Sequence, residues 1–282
     1  MIICKTVASL QYELAKRRLH AQSIGFVPTM GALHQGHISL VKLSKQQGNF
    51  TVSSVFVNPT QFNDPKDFEQ YPITIEQDIL MLEQAGCDML FLPQTAEVYP
   101  NGLTPTRNYD LGYLELLFEG SYRPGHFQGV CQVVHRLLEI VQPQTLFLGQ
   151  KDYQQCMVIR KLITLIEIPT TLVIGPTLRE TNGLAMSSRN KRLSATASEQ
   201  ATAIYKALQL CHKQLAIGPL THIEDQAKQL LMEAGFEKID YLSFANAITL
   251  QPVNNWEGKE QLVVVVAAFL QGVRLIDNMV LN

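Results

Sequence analysis

The sequence predicts an α/β protein with an open, mostly parallel, doubly wound sheet over residues 1–176 and a smaller α+β domain over residues 177–282. Three observations carry that expectation. Short apolar or β-branched runs alternate with helical patterns through the first region, the order that builds βαβ units and parallel pairing. Polar clusters follow those runs, where a doubly wound sheet binds its ligands. After Gly175-Pro176 the pattern changes to amphipathic helices followed by β-branched runs.

Val7 to Ala21 carries Val7, Leu10, Leu14 and Leu19 near helical spacing and reads as a surface helix ahead of a first strand at Ile24 to Val27. The strand is expected to break at Pro28, with a helix restarting near Gly36 or His37 and running on from Ile38 to Gln47. Phe50 to Val57 is a second strand, stopped by Asn58-Pro59. Strand, turn, helix and strand then form one right-handed crossover. Asn58 to Tyr71 is polar and rich in Pro, Asp and Asn, a loop of the kind that carries function. A helix at Ile75 to Ala85 and a strand at Asp88 to Leu92 come next, then an irregular stretch from Thr95 to Gly125 punctuated by Pro100, Gly102, Pro105 and Gly112. Val130 to Val141 reads as a helix, Thr145 to Leu148 as a buried strand, Tyr153 to Ile166 as a helix and Leu172 to Ile174 as the last strand. In the second region Arg179 to Arg192 is polar. Thr196 to Leu215 and Ile223 to Ala234 are helices joined through Gly218-Pro219, and Tyr241 to Phe244 and Val263 to Phe269 are strands of a small sheet.

Composition fits that plan and removes several classes of function. A chain of 282 residues with 46% hydrophobic and 17% charged residues buries a sizeable core in one large and one small domain. A formal charge of −2 and the lack of a Lys/Arg block leave no electrostatic footprint for nucleic acid. The five cysteines are widely spaced, without C-x-x-C, and read as reduced, partly buried thiols. The N-terminal residues lack signal-peptide character, and the longest apolar run, Leu262 to Leu270, has nine residues against the roughly 20 that span a bilayer. The expectation is a cytoplasmic protein without membrane partners.

The chemistry concentrates in Val27-Pro28-Thr29-Met30-Gly31-Ala32-Leu33-His34-Gln35-Gly36-His37. A strand that gives way to a helix here aims free backbone N–H groups and the positive helix end at one point, which suits an anion. His34 and His37 stand beside that point and can donate hydrogen bonds to phosphate oxygens. A plain Pro/Gly turn with exposed histidines accommodates the same residues. Zinc is disfavoured, because there is no H-E-x-x-H and no carboxylate or Cys at ligand spacing, and neither glycine-rich nucleotide motif is present. Gln150-Lys151-Asp152-Tyr153-Gln154-Gln155 opens a helix with a cation, a carboxylate and amides. Ala185-Met186-Ser187-Ser188-Arg189-Asn190 sets two hydroxyls beside a guanidinium, a combination that suits phosphate. Each of these, alone, also fits an ordinary helix start.

Taken in order, six cassettes resemble the pantothenate synthetase (pantoate–β-alanine ligase) family: Pro28 to His37, Val57 to Phe62, Arg123-Pro124-Gly125-His126-Phe127, Gly149 to Gln155, Gly183 to Asn190 and Arg274-Leu275-Ile276-Asp277-Asn278. The resemblance covers the whole chain and implies a Rossmann-like nucleotidyltransferase fold with a C-terminal lid, assembled as a homodimer. It implies a ligase using ATP and magnesium, in which pantoate and ATP give an enzyme-bound pantoyl adenylate that β-alanine attacks. Carried over by position, it implies that His34, His37, Lys151 and Arg189 are catalytic. The ATP-binding set would be Met30, His37, Gly149, Lys151, Asp152, Leu178, Met186, Ser187, Ser188 and Arg189. Gln61 and Gln155 would bind pantoate, and Pro28, Asn58, Tyr71 and Arg123 match further site positions. The chain departs from the family pattern at Thr60, Ile73 and Gln77, and no protein ligand of the metal is assigned. The competing expectations are a related nucleotidyltransferase with a phosphate-bearing acceptor, a catalytically dead nucleotide-binding protein, and an aminoacyl-tRNA synthetase, the last disfavoured by size and by the missing basic surface.

Overall fold

The computed structural model describes residues 1–61, 68, 69, 71–104 and 107–282. Contacts divide the chain into two compact units, one formed by Met1–Gly149 with Val158–Pro176 and the other by Gln150–Met157 with Thr177–Asn282.

The first unit is the expected α/β layer structure. Its strands are β1 (Ile2–Cys4), β2 (Ile24–Thr29), β3 (Phe50–Val55), β4 (Met89–Phe91), β5 (Thr145–Gly149) and β6 (Thr171–Gly175), all parallel in the spatial order β1-β4-β3-β2-β5-β6. Its helices are α1 (Val7–Leu19), α2 (Gln35–Gln46), α3 (Ile75–Gln84), α4 (Thr95–Val98), α5 (Phe118–Tyr122), α6 (His126–Val141) and the body of α7 (Tyr153–Leu165). Strand order reverses between β2 and β5, so a ligand crevice is due at the carboxyl ends of those two strands. The sheet is covered on both faces, which is why its strands read as apolar runs. Val27, Ile38, Val41, Leu90 and Phe147 belong to one buried cluster, and each such side chain contributes about 1.5–3 kcal/mol on leaving water. Gly25 permits the close approach of α2, since a Cβ there would collide with the Ser44 hydroxyl.

Several boundaries differ from expectation for identifiable reasons. β2 runs through Pro28 to Thr29 instead of breaking there. The β2–β5 ladder ends at Phe26 while the β2–β3 ladder continues to Thr29, so Pro28 lies past the last bond on the β5 side and its missing N–H is not required. α2 begins at Gln35 because the His34 side chain caps it. β1 pairs with β4 although its three residues are too few to display a period. α6 starts at His126, before the expected Val130, with Gly125 supplying a left-handed cap at φ 77°. Of the Asn58 to Tyr71 loop, residues 62–67 and 70 lie outside the described residues, as do Pro105 and Thr106 of the irregular stretch; Pro59–Gln61 forms a single 3₁₀ turn.

In the second unit β8 (Lys238–Asn246), β10 (Leu262–Leu270) and β11 (Val273–Leu281) form an antiparallel sheet in the order β11-β10-β8, while β7 (Gly218–Pro219) pairs with β9 (Asn255–Trp256). The expected single helix over Thr196 to Leu215 is two, α8 (Ala195–Ala201) and α9 (Ala203–Gln214), divided at Thr202, whose hydroxyl turns back to the Glu199 carbonyl at 2.6 Å. With α10 (Thr221–Glu233) they bury Leu208, Ile223, Leu231 and Phe236 against Leu242, Phe244, Val264 and Val266 of the sheet.

The five thiols are fully rather than partly buried, and none is in a disulfide. Burial pushes Cys87 up to about 11 and Cys131 and Cys211 up to about 12, so these are inert packing residues. Among the described residues no helix is long and apolar enough to cross a membrane.

Candidate active site

In the first unit the chain leaves β2 through a turn whose amides are collected by one carboxylate. Gly31 (φ 84°) and Ala32 (φ 49°) are both left-handed. That conformation turns the amides of Ala32 and Leu33 onto Asp78 Oδ2 and Oδ1, at 3.0 and 2.8 Å. Asp78 comes from the first turn of α3, is 1% exposed, and also accepts the Thr74 hydroxyl at 3.0 Å. A Cβ on Gly31 would lie 3.1 Å from Asp78 Oδ2, in a conformation side chains rarely adopt. A cleft of 310 Å³ opens beside the turn, lined by Met30, Gly31, Val57, Thr74, Asp78 and Gln94 among others.

The two histidines close the turn as a reciprocal cap on α2. His34 Nδ1 accepts the Gly36 amide at 3.1 Å and His37 Nδ1 accepts the His34 amide at 3.3 Å, with the ring centroids 4.1 Å apart. A ring nitrogen that accepts carries no hydrogen, so in the neutral rings the proton is on Nε2 of each. Local folding thus makes both histidines Nε2 donors at the positive end of a helix.

A second cluster surrounds Gln61. Its Nε2 donates to Met30 Sδ at 2.7 Å, and its Oε1 accepts Asn58 Nδ2 at 3.3 Å. Asn58, 1% exposed, also donates to the Gly129 carbonyl and accepts the Tyr99 hydroxyl at 2.9 Å. Burial raises Tyr99 to about 12, so its hydroxyl remains a donor. The Gln61 carbonyl contacts His126 Nδ1 at 2.9 Å, and His126 Nε2 lies 3.1 Å from Arg123. Met30, Asn58, Gln61 and Arg123 are therefore joined in one network, with Pro28 on the same β2 terminus. Tyr71 ends the described part of the following loop, its amide on the Phe68 carbonyl. Gly149 closes β5, paired with Gly175.

Gly129 sets how closely α6 approaches this network: a Cβ there would collide with the Thr60 carbonyl oxygen and lie 2.9 Å from Gln61 Cα. Gly129→Ala is expected to cost about 1–3 kcal/mol through overpacking. It is also expected to displace Gln61. Thermal unfolding checks the first part, and an unchanged melting temperature would show that the Thr60 turn yields freely.

In the second unit the remaining positions gather on the 3₁₀ turn Gln150–Asp152, the segment Leu178 to Met186 and the 3₁₀ turn Ser188–Arg192. Arg179 bridges Ala185, and the Met186 amide donates to the Leu178 carbonyl at 3.0 Å. Ser187 caps the next turn, its hydroxyl accepting the Arg189 amide at 3.3 Å, and Asn190 Nδ2 ties that turn to the Ala185 carbonyl at 3.0 Å. Lys151, Ser187, Arg189, Asn190 and Asp277 line a narrow cavity of 20 Å³. Lys151 Nζ lies 3.8 Å from Asp152 Oδ2, and Lys151 is 17% and Asp152 49% exposed. Gln155 stands in the first turn of α7. Two cations beside a capped turn suit polyanion chemistry.

Sequence reasoning gave no role to Asp78, Tyr99, Gly129 or Arg179. Their main partners, backbone or side chain, lie far along the chain, and such contacts leave no local pattern. For magnesium the donor set of the described residues does not form a protein cage. Among the described residues no group of three His, Cys, Asp or Glu side chains is placed to hold a metal ion, and Asp78 is engaged by the amides and Thr74.

The chain matches the family model described as pantoate-beta-alanine ligase over residues 2–280. It is similar to the pantothenate synthetase of Cytophaga hutchinsonii, 44% identical over 283 residues that cover 100% of this chain and 99% of the relative. It is likewise similar to that of Leptospira biflexa, 42% identical with coverage of 100% and 99%. Among solved structures, pantothenate synthetase from Thermus thermophilus superposes with a TM-score of 0.90 at 40% identity, covering 99% of each chain. Pantoate-beta-alanine ligase from Francisella tularensis, complexed with beta-gamma ATP and beta-alanine, superposes with a TM-score of 0.79 at 37% identity, covering 99% of this chain and 97% of that one.

Proposed function

The chain belongs to the pantoate–β-alanine ligase family, and from that premise we propose how its residues divide the work of the ATP-dependent ligation of pantoate with β-alanine that the protein catalyses. A pantoate carboxylate oxygen attacks the α-phosphorus of ATP, the bond to the bridging oxygen breaks and pyrophosphate leaves. The β-alanine amine then attacks the acyl carbon of the pantoyl adenylate, loses a proton, and AMP departs with the electron pair of the C–O bond.

The observation that carries this reading is the α2 cap, which makes Nε2 of His34 and His37 hydrogen-bond donors at a helix N-terminus. Bringing a carboxylate onto a phosphate joins two anions, so donors and cations matter more than a base. Met30, Gly149, Asp152, Leu178 and Met186 take the nucleotide, Gln61 and Gln155 hold pantoate, and Lys151 bridges the reacting groups. Ser187, Ser188 and Arg189 bind the departing phosphates. Residues 1–176 act as the nucleotide- and pantoate-binding domain and residues 177–282 as the lid, whose purpose is to keep water from an acid anhydride. A cytoplasmic homodimer belongs to the same reading. So does magnesium, carried by the triphosphate, as a small hard cation keeps several waters and relies on substrate phosphates.

The test is incubation with ATP, magnesium and pantoate, with and without β-alanine, following pyrophosphate, AMP and pantothenate. Positional isotope exchange in ATP is expected with pantoate alone. Exchange that needs β-alanine would replace the adenylate with a concerted route, and transfer to a phosphate-bearing acceptor instead of pantoate would overturn the role assignments. Arg189→Ala is expected to lower turnover about 10- to 150-fold, the equivalent of one charged hydrogen bond of about 1.5–3 kcal/mol, without changing the melting temperature. Turnover at the parent level would remove Arg189 from the phosphate site.

A further inference from the structure

The Arg274 to Asn278 cassette is absorbed by none of the roles above, yet it ends in two consecutive polar residues that are almost fully buried. Asp277 is 3% and Asn278 2% exposed, and they pair across β11 and β10 with Val266 and Val265. Polar groups survive in such a sheet only when their hydrogen bonds are made. Those of Asn278 converge on one place. Its Nδ2 donates to the carbonyl oxygens of Gln150 at 2.8 Å and Lys151 at 2.9 Å, and its Oδ1 accepts Gln150 Nε2 at 3.2 Å. Both amide hydrogens are used, and the amide's orientation is fixed by the pair of carbonyls.

Asn278 is itself held. Its backbone amide donates to Asp277 Oδ1 at 2.8 Å, and the same oxygen accepts Arg179 Nη2 at 3.1 Å. Arg179 also donates to the Gly183 carbonyl at 3.1 Å and lies over the Tyr205 ring at 4.1 Å. Burial raises the Asp277 carboxyl above its ordinary value, an effect Arg179 opposes. One node thus ties the turn bearing Lys151 to the segment that leads into Ser187 and Arg189.

We propose that Asn278 is a positioning residue for adenylation, acting through Lys151 by clamping the carbonyls of Gln150 and Lys151, with Asp277 and Arg179 as its support. The inference rests on the role given to Lys151 above. A reacting group displaced by about 1 Å loses on the order of 10²-fold. Asn278 touches no substrate in this assignment, and its effect is confined to the step in which Lys151 takes part.

The test is a double-mutant cycle on the full-length protein, measuring pyrophosphate release with ATP, magnesium and pantoate. Asn278→Ala is expected to slow adenylation about 10- to 100-fold, yet to retain pantothenate formation from supplied pantoyl adenylate and β-alanine. In a Lys151→Ala background the same substitution is expected to change adenylation by no more than about twofold, because residues acting as a unit are not additive. Full additivity would overturn the inference while leaving the role of Lys151 intact. Equal loss of the adenylation and amine-attack steps would also overturn it, as the mark of general unfolding. A Lys151→Ala protein that adenylates normally would remove the premise instead. Should the alanine variant fail to fold, the same cycle is run with Asn278→Ser, which keeps a small polar side chain, and the same additivity criterion decides.

Discussion

Lys151→Ala is expected to slow formation of the pantoyl adenylate by about 10²–10³-fold, the scale of a lost transition-state donor. The Lys151 side chain is largely enclosed, 17% exposed, and its ammonium lies 3.8 Å from the carboxylate of the half-exposed Asp152. That contact is too long and too wet to be the reason for the side chain, since exposed pairs contribute about 0–1 kcal/mol. Stability should therefore change by less than about 1 kcal/mol while adenylation falls steeply. Supplying pantoyl adenylate is expected to restore much of the pantothenate formation, because amine attack on the anhydride no longer brings two anions together. A variant that adenylates normally but unfolds several degrees earlier would make Lys151 a structural residue and move the chemistry to His34 and His37.

Asp78→Ala is expected to damage both fold and activity. The carboxylate serves the buried amides of Ala32 and Leu33 and the Thr74 hydroxyl. Leaving each amide unpaired costs about 1–3 kcal/mol, and the two together about 2–6 kcal/mol. That is a large share of the roughly 5–15 kcal/mol that holds a typical domain together. The left-handed Ala32 loses the bond that compensates its strain, so the turn is expected to relax and carry the His34 cap away from the position proposed for the nucleotide. Asp78→Asn retains one acceptor but turns an amide hydrogen toward a backbone N–H, and should fall between alanine and the parent. Thermal unfolding with the KM for ATP measures both parts. An alanine variant with the parent melting temperature and KM would show that the turn stands without its anchor.

What the sequence disclosed and what it withheld divide along physical lines. The alternating strands, the βαβ order and the turn at Pro28 to His37 were legible because apolar periodicity and Pro, Gly and His punctuation are local signals. β1 escaped because Ile2–Cys4 is too short for any period. β11 escaped because Asp277 and Asn278 interrupt the apolar pattern of a strand whose polar residues are satisfied from elsewhere. The helix break at Thr202 depends on one hydroxyl turning back on Glu199, which the amphipathic pattern does not record. At the proposed site, His34 and His37 stood out by residue type and spacing, Lys151 and Arg189 lay in cassettes that alone also fit a helix start, and Gln61 was assigned through the family resemblance. Their supports did not stand out: Asp78 reaches the turn across 45 and 46 residues, and Arg179 reaches Asp277 across 98.

The second unit draws on two stretches of chain separated by residues 158–176, and the bonds from Asn278 to the carbonyls of Gln150 and Lys151 close loops of 128 and 127 residues. Synthesis runs in one direction, so a nascent chain carries its lysine long before it carries the amide that fixes that lysine in place. Closure over such a distance is slow and comes late in folding. The turn that bears Lys151 is therefore clamped only after Asn278 has been made. A stop codon or a protease that cuts just before Asn278 would spare every residue assigned to the substrates and still deliver a protein with its lysine unfixed, and titrating such trimmed chains for adenylation is expected to find them slow.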